Sequence, residues 1–511
     1  MNPGVQRVTE QIHPLTEHLD QQTPEAALAC LFQAERELYE EHAWGPGLLD
    51  PAFLADLERL AAKIATVTAD PEGRVIFAGA GTSGRLACLA ATQWARNYGS
   101  QAGKVHGLLA GGWAAYYHAK EVVEDSVAVG QADIAPLLAG PGPVVYIGIS
   151  CGLSAAYVAG QLALCRRRAH TTTVVLGFTP PDTAVDRTLP GLPPETGSMR
   201  ALIAALATDA DAFVLTPMIG AEPIAGSTRM KGGSATRILL DGLAFPGRIR
   251  ARLAQYQVLL QQLQRQSLGE VVAWAGETLK RGGSLTYVAA GETAPMALLD
   301  ASECPPTFGA QPFQVQAVCA GLAEQLPDFD GTDHDLAAYQ RRARVEDGFV
   351  WMAGAAADPA LAAWRKDLAA DAIRSLPPFP THLFDAGTLM GPLRDLWFKW
   401  QCNALSTLAF VAYGKVLGNR MVDLRISNQK LWHRGIGLIA DLAVVSSQQA
   451  EDALHRALGQ TAETPLDDKI RAAVRSERLI TRAVLTARGW DPEAARAEIA
   501  REPRLVSLLT R

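Results

Sequence analysis

Apolar positions recur at helical spacing through residues 24–43, PEAALACLFQAERELYEEHA, and again through 51–67, PAFLADLERLAAKIATV. This is the period of helices that bury one face. The pattern then changes. VIFAG at 75–79, KVHGLLAG at 104–111, PVVYIGIS at 143–150 and TTVVLGF at 172–178 are short, apolar and β-branched, with helical stretches between them. That alternation predicts a parallel sheet covered by helices. Residues 178–198, rich in proline and glycine, predict a loop. Near the end, RSERLITRAVLTAR runs into Gly489, and Asp491-Pro492 supplies a cap and first-turn proline for PEAARAEIARE. A small helical cap or lid is expected there, not a third α/β domain.

The pattern also repeats. Shifted by 210 residues, the segment from Val75 to Gly112 lies on Leu285 to Leu322 without a gap. Gly81 falls on Gly291, Leu89 on Leu299, Gly99 on Gly309, and LLAG on VCAG. Two copies of one α/β domain are the economical reading.

The copies differ in chemistry. Gly79, Gly81 and Gly84 fit the G-x-G-x-x-G dinucleotide fingerprint, which also requires an acidic residue about 20 positions on. No Asp or Glu occurs between Glu72 and Glu121. The ending of a Walker loop is absent too. Thr82 and Ser83 instead sit where the backbone turns into the helix, so N–H groups and hydroxyls make a compact seat for a monophosphate ester. Two further hydroxyl loops, ISCGLSAA with Ser150, Gly152 and Ser154, and AGSTRM with Ser227 and Thr228, would reach the same crevice at the carboxyl ends of the strands. In the second copy Thr82, Ser83 and Arg85 become Glu292, Thr293 and Pro295. A glutamate in the seat repels phosphate, so one working site is expected.

Composition narrows the classes further. With 511 residues, two or three domains are expected. A net charge of −6 argues against a nucleic-acid partner, since no basic surplus exists to neutralise phosphates. The one dense basic run, Arg166-Arg167-Arg168, reads as a solvated helix C-terminus. Seven scattered cysteines, without C-x-x-C, read as buried free thiols in a reducing compartment. No signal core and no apolar run of spanning length occurs, so a cytoplasmic protein without membrane association is expected. The histidines lack metal-ligand spacing, and PDFDGTDHD at 327–335 departs from an EF-hand loop.

Taken together, GAGTSGRL, LLAGG, EDS, GSTRMKGGSAT and GKVLGNRMVDLRISNQKL resemble the N-acetylmuramic acid 6-phosphate etherase / glucokinase regulatory protein family. The resemblance runs over nearly the whole chain. It implies two flavodoxin-like, doubly wound parallel-sheet sugar isomerase (SIS) domains in tandem plus a C-terminal helical lid. The implied layout is an N-terminal helical segment at 1–44, SIS domains at 45–255 and 256–415, and the lid at 416–511. By the same resemblance Thr82, Ser83, Ser150, Gly152, Ser154 and Ser227 hold a sugar phosphate, and Lys430 reaches it from the lid.

Family members divide into an enzyme and a regulator. The enzyme removes lactate from a muramic sugar by elimination: a base takes the proton on carbon 2 of the opened sugar, and an acid protonates the departing ether oxygen. Two titrating groups on either side of the sugar suffice, and no metal or redox cofactor is required. The resemblance places the acid in DASECPPTFG and the base in the EDS stretch. The first copy has Gln93 at the acid position and Glu124 in VVEDS; the second has Glu303. Each copy therefore brings half of the pair, and Glu303 must cross to the first copy's seat. Glu121 lies one turn from Glu124 and is not separated from it by spacing. Cys304, without a local histidine, reads as a buried thiol. The intact Pro305-Pro306-Thr307 is enzyme-like, whereas CGLSAA replaces the etherase's SGRTP and is regulator-like. The expected activity is that of the etherase. The alternative is a non-catalytic sugar-phosphate sensor whose partner is a sugar kinase, and a sugar-phosphate isomerase is a weaker third reading.

Overall fold

In the computed structural model, residues 7–98, 104–117, 121–311, 313–322, 336, 344–385, 388–427, 429–502 and 505–509 are described. The acidic stretch 327–335 therefore lies outside the described residues.

Two capped helices open the chain. In α1 (Pro24–Arg36) the Thr23 hydroxyl accepts from the Ala26 N–H, and in α2 (Pro51–Ala69) the Asp50 carboxylate accepts from the Ala52 N–H. Each has proline in its first turn. The predicted helix over 24–43 stops early. Beyond α1 the chain tightens into a turn at Glu37–Tyr39, which sends the Glu37 carboxylate inward. There it meets His13 Nε2 at 3.0 Å and Lys231 Nζ at 2.5 Å. Before α1 the chain forms three short turns, Val8–Glu10, Pro14–Thr16 and Leu19–Gln21, and no long helix.

Burial by itself would raise the Glu37 carboxyl, but the His13 hydrogen bond and the Lys231 charge outweigh it and hold the group at about 2. A carboxyl held below its ordinary 4.5 contributes stability that is complete above that value and is lost as pH falls toward 2. Glu37→Gln is expected to lower the urea midpoint at pH 6 and to match the parent near pH 2. A difference that stays constant between pH 6 and 2 would contradict this account.

The first sheet has the parallel strands β1 (Arg74–Gly79), β2 (Val105–Leu109), β3 (Val144–Ile149), β4 (Thr171–Leu176) and β5 (Ala212–Leu215), in the order 2-1-3-4-5. This is the doubly wound order in which ligands settle where the winding reverses, between the first and third strands. Gly79 and Ile149, the last residues of β1 and β3, are register partners, so the loops at 80–83 and 150–155 leave the sheet side by side. Helices α3 (Gly81–Tyr98), α4 (Ala114–Tyr117), α5 (Val127–Leu138), α6 (Ala156–Arg167), α7 (Met199–Leu206) and α8 (Lys231–Gly242) connect and flank the strands. At the end of α6, Arg168 reaches back to the carbonyls of Leu138, Gly140 and Gly142.

After α9 (Ile249–Leu263) and α10 (Gly269–Lys280) comes the second sheet, β6 (Leu285–Ala290), β7 (Val315–Ala320), β8 (Gly348–Trp351) and β9 (Ile373–Ser375). Its order, β7-β6-β8-β9, repeats the winding of the first. The repeat is structural: β1 and β6, and β2 and β7, begin at positions 210 or 211 residues apart, and Gly81 and Gly291 both take positive φ, 52° and 56°. The helix after β6 is α11 (Ala294–Phe308), which packs on α3 and α4 of the first copy. A long helix, Gly391–Ala412, crosses α8, α9, α10 and α11 and closes the interface. The final helices, from Gln429 onward, form the lid; Asp491 caps Pro492–Arg501 as expected. Among the described residues no helix is long and apolar enough to cross a membrane.

Candidate functional site

A cavity of about 150 Å³ opens at the reversal point of the first sheet. Its floor is the turn from β1 into α3. Gly81 supplies the left-handed φ of 52° that the turn requires, and Thr82 and Ser83 follow in the first turn of α3, both buried. The neighbouring loop after β3 is held open by its own serine: Ser150 Oγ accepts from the N–H groups of Ser154 (3.0 Å) and Ala155 (3.2 Å). Leu153 between them sits at φ 48°, a conformation side chains rarely adopt. Ser227 arrives from the loop before α8. Thr82, Ser83, Ser150, Gly152, Ser154 and Ser227 thus share one cavity wall. Hydroxyls and helix-start N–H groups around one space suit a phosphate ester.

Two carboxylates stand over this floor. A Cβ placed on Gly81 would lie 3.4 Å from Glu124 Oε1 and 3.8 Å from Glu303 Oε1, so the two oxygens are no farther apart than the sum of those distances. Glu303 comes from α11 of the second copy. Arg85, in the first turns of α3, ion-pairs with Glu303 through Nη1 and donates from Nε to the Tyr116 carbonyl at 2.9 Å. The arginine is fully buried, so it aims the carboxylate into the first copy's pocket. Glu124 comes from the turn Glu121–Asp125. The side chains of Glu121 and Lys430 lie outside the described residues.

The equivalent position of the first copy is occupied differently. Gln93, the counterpart of Glu303, is buried in a network in which its amide donates to Asp395 at 2.9 Å and its oxygen accepts from Arg237. In the second seat Glu292 ion-pairs with Arg394. A protein carboxylate and its arginine occupy the place where the first copy has hydroxyls.

The thiols are structural in their surroundings. Cys151 lies 3.3 Å from Ser83 Oγ, and burial pushes it up to about 11. Cys304 donates to the Asp300 carbonyl at 3.3 Å, and burial pushes it up as well. Neither is a thiolate at neutral pH.

Polar pocket residues that the sequence pattern does not single out are Arg7, Thr9, Glu10, Arg229 and Arg434. In the sequence Arg85 stands out only as a difference between the copies. That difference was its signal: the copy that keeps the hydroxyl seat also keeps the arginine, and the other has Pro295.

Residues 59–166 match the family model described as the glucokinase regulatory protein N-terminal SIS domain, and residues 418–509 match the C-terminal lid domain of glucokinase regulatory protein. The chain is similar to the glucokinase regulatory protein of Homo sapiens, 28% identical over 91% of this chain and 84% of that protein. It is also similar to the N-acetylmuramic acid 6-phosphate etherase of Synechococcus sp. (strain CC9605), 34% identical over 38% of this chain and 68% of that enzyme. The etherase of Mycolicibacterium smegmatis is likewise 34% identical, over 38% of this chain and 72% of its own length.

Proposed function

The chain belongs to the N-acetylmuramic acid 6-phosphate etherase / glucokinase regulatory protein family, and from that premise we propose that it is an etherase, releasing D-lactate from N-acetylmuramic acid 6-phosphate to leave N-acetylglucosamine 6-phosphate. The observation that carries this reading is the pair of carboxylates, Glu124 and Glu303, flanking Gly81 at a hydroxyl-lined anion seat.

The sugar's phosphate lies on Thr82, Ser83, Ser150 and Ser154, with Gly152 and Ser227 completing the wall, and Lys430 closes from the lid. Glu124 takes the proton from carbon 2 once the ring has opened to the aldehyde. The carbon 3–oxygen bond then breaks, and Glu303 delivers a proton to the departing lactate oxygen. Water adds to the unsaturated intermediate. The electron pair of the broken C–H bond forms the new double bond, so no redox partner enters. Arg85 positions Glu303. The pair acts across the interface between the copies, so each chain has one site.

Incubating the protein with the muramic sugar phosphate and assaying D-lactate tests the reading; absence of lactate above a Glu303→Gln control overturns it. The seat has its own test. Thr82→Glu, which gives the first seat the residue of the second, is expected to weaken binding of N-acetylglucosamine 6-phosphate at least about tenfold, on the order of 1.4 kcal/mol. Isothermal titration measures it, and unchanged affinity removes the phosphate from this seat.

A second reading, a sugar-phosphate sensor acting on a sugar kinase, is favoured by the likeness to the regulatory protein over 91% of the chain. It predicts kinase inhibition that responds to fructose phosphates, and no lactate.

A further inference from the structure

The same cavity carries a second charged feature besides Glu124 and Glu303. The segment before α1 runs across its mouth, joined to the loop before α8 by the Gly226 N–H donating to the Thr9 carbonyl at 2.8 Å. From this segment Arg7 reaches toward the Ser150 loop; a Cβ on Gly152 would lie 3.6 Å from Arg7 Cδ. From the lid, Arg434 donates through Nη1 to the Gly226 carbonyl at 3.1 Å. Its guanidinium lies so close to that loop that a Cβ on Gly226 would stand 2.7 Å from Cζ, at a backbone φ of 76°.

Both arginines turn to one oxygen. Arg7 Nη1 is 3.1 Å and Arg434 Nη2 2.8 Å from Glu10 Oε1. The three side chains are between 17% and 28% exposed and line the same cavity as the hydroxyl seat. Two guanidinium groups from parts of the chain over 400 residues apart therefore converge on a carboxylate inside a ligand pocket. Such a fork is suited to holding a carboxylate by charge-assisted hydrogen bonds.

We propose that Arg7 and Arg434 form a carboxylate clamp for the lactyl arm of the sugar phosphate, and that Glu10 is the internal carboxylate occupying the clamp until the ligand displaces it. This rests on the etherase reading. It supplies what that reading leaves open, namely how a pocket whose seat holds one phosphate selects a sugar carrying a second anion. It also couples the lid to the ligand, because Arg434 belongs to the lid helix Gln429–Ala443.

The test is the ratio of two affinities in the Glu303→Gln protein, where turnover does not interfere. N-acetylmuramic acid 6-phosphate carries the lactyl carboxylate; N-acetylglucosamine 6-phosphate lacks it. The muramic ligand is expected to bind about ten- to a hundredfold tighter. Arg7→Gln with Arg434→Gln should bring the ratio close to one, through loss of affinity for the muramic ligand alone. Glu10→Gln, which removes the internal competitor, should raise the ratio severalfold, whereas a merely structural glutamate would leave it unchanged or weaken both ligands alike. A ratio near one in the parent, or a ratio that survives loss of both arginines, overturns the clamp while leaving the etherase reading to the lactate assay. Failure of either sugar to bind overturns both.

Discussion

Glu303→Gln is expected to reduce lactate release by about 10²–10⁴-fold while N-acetylglucosamine 6-phosphate still binds. The glutamine keeps the size of the side chain and can still accept a hydrogen bond from Arg85, so the seat is retained, although the buried arginine loses its counter-ion and some stability is lost with it. What it lacks is the proton for the departing ether oxygen. The first copy shows that glutamine is tolerated at this place in the fold, since Gln93 fills the corresponding position hydrogen-bonded to buried Asp395 and Arg237. The effect therefore belongs on kcat, with KM little changed. Unaltered kcat, or equal loss of binding and turnover, would remove Glu303 from the proton-transfer role.

That prediction was reachable from the sequence because the two copies are complementary in their deficits. The first copy keeps Glu124 but has Gln93 at the acid position, and the second keeps Glu303 but has Glu292 in the seat, so the two complete one another only if α11 faces the first sheet. The strands were equally legible where apolar and β-branched residues run together: β1, β3 and β4 are buried along nearly their whole length. Short β5, three of whose four residues are only half buried, carries little periodic signal and was not read as a strand. The mouth of the pocket was illegible for a different reason. Glu10 meets Arg434 across more than 400 residues, and each is a polar residue that periodicity reads as solvent-facing. A polar contact of that range leaves no local trace; only folding brings the segment before α1 onto the lid. The same holds for Glu37, whose departure from the helix pattern follows from partners at positions 13 and 231.

Asp300→Ala is expected to cost about 3–5 kcal/mol, the scale for removing one partner of a buried ion pair. Asp300 is buried in α11 and gathers three donors: Arg229 Nη1 at 3.1 Å and Asn403 Nδ2 at 2.6 Å on one oxygen, and the Tyr287 hydroxyl at 2.8 Å on the other. Arg229 belongs to the first copy's loop, Asn403 to the long helix Gly391–Ala412 and Tyr287 to β6. One carboxylate thus joins both copies and the helix between them. Alanine leaves the Arg229 charge buried and partly unpaired, held only by Ser406 and Thr407 and by the face of Phe308. The desolvation of that charge is then uncompensated. Asp300 is also one turn before Glu303 in α11, so loosening it moves the acid, and lactate release should fall with stability. Tryptophan fluorescence in urea reads the transition. A companion variant, Arg229→Met with Asp300→Leu, removes both charges and should recover much of the loss, because an apolar pair of similar volume needs no desolvated ion. A single variant that unfolds at the parent's urea concentration would show that the Asp300 ion pair contributes nothing to holding the two copies together.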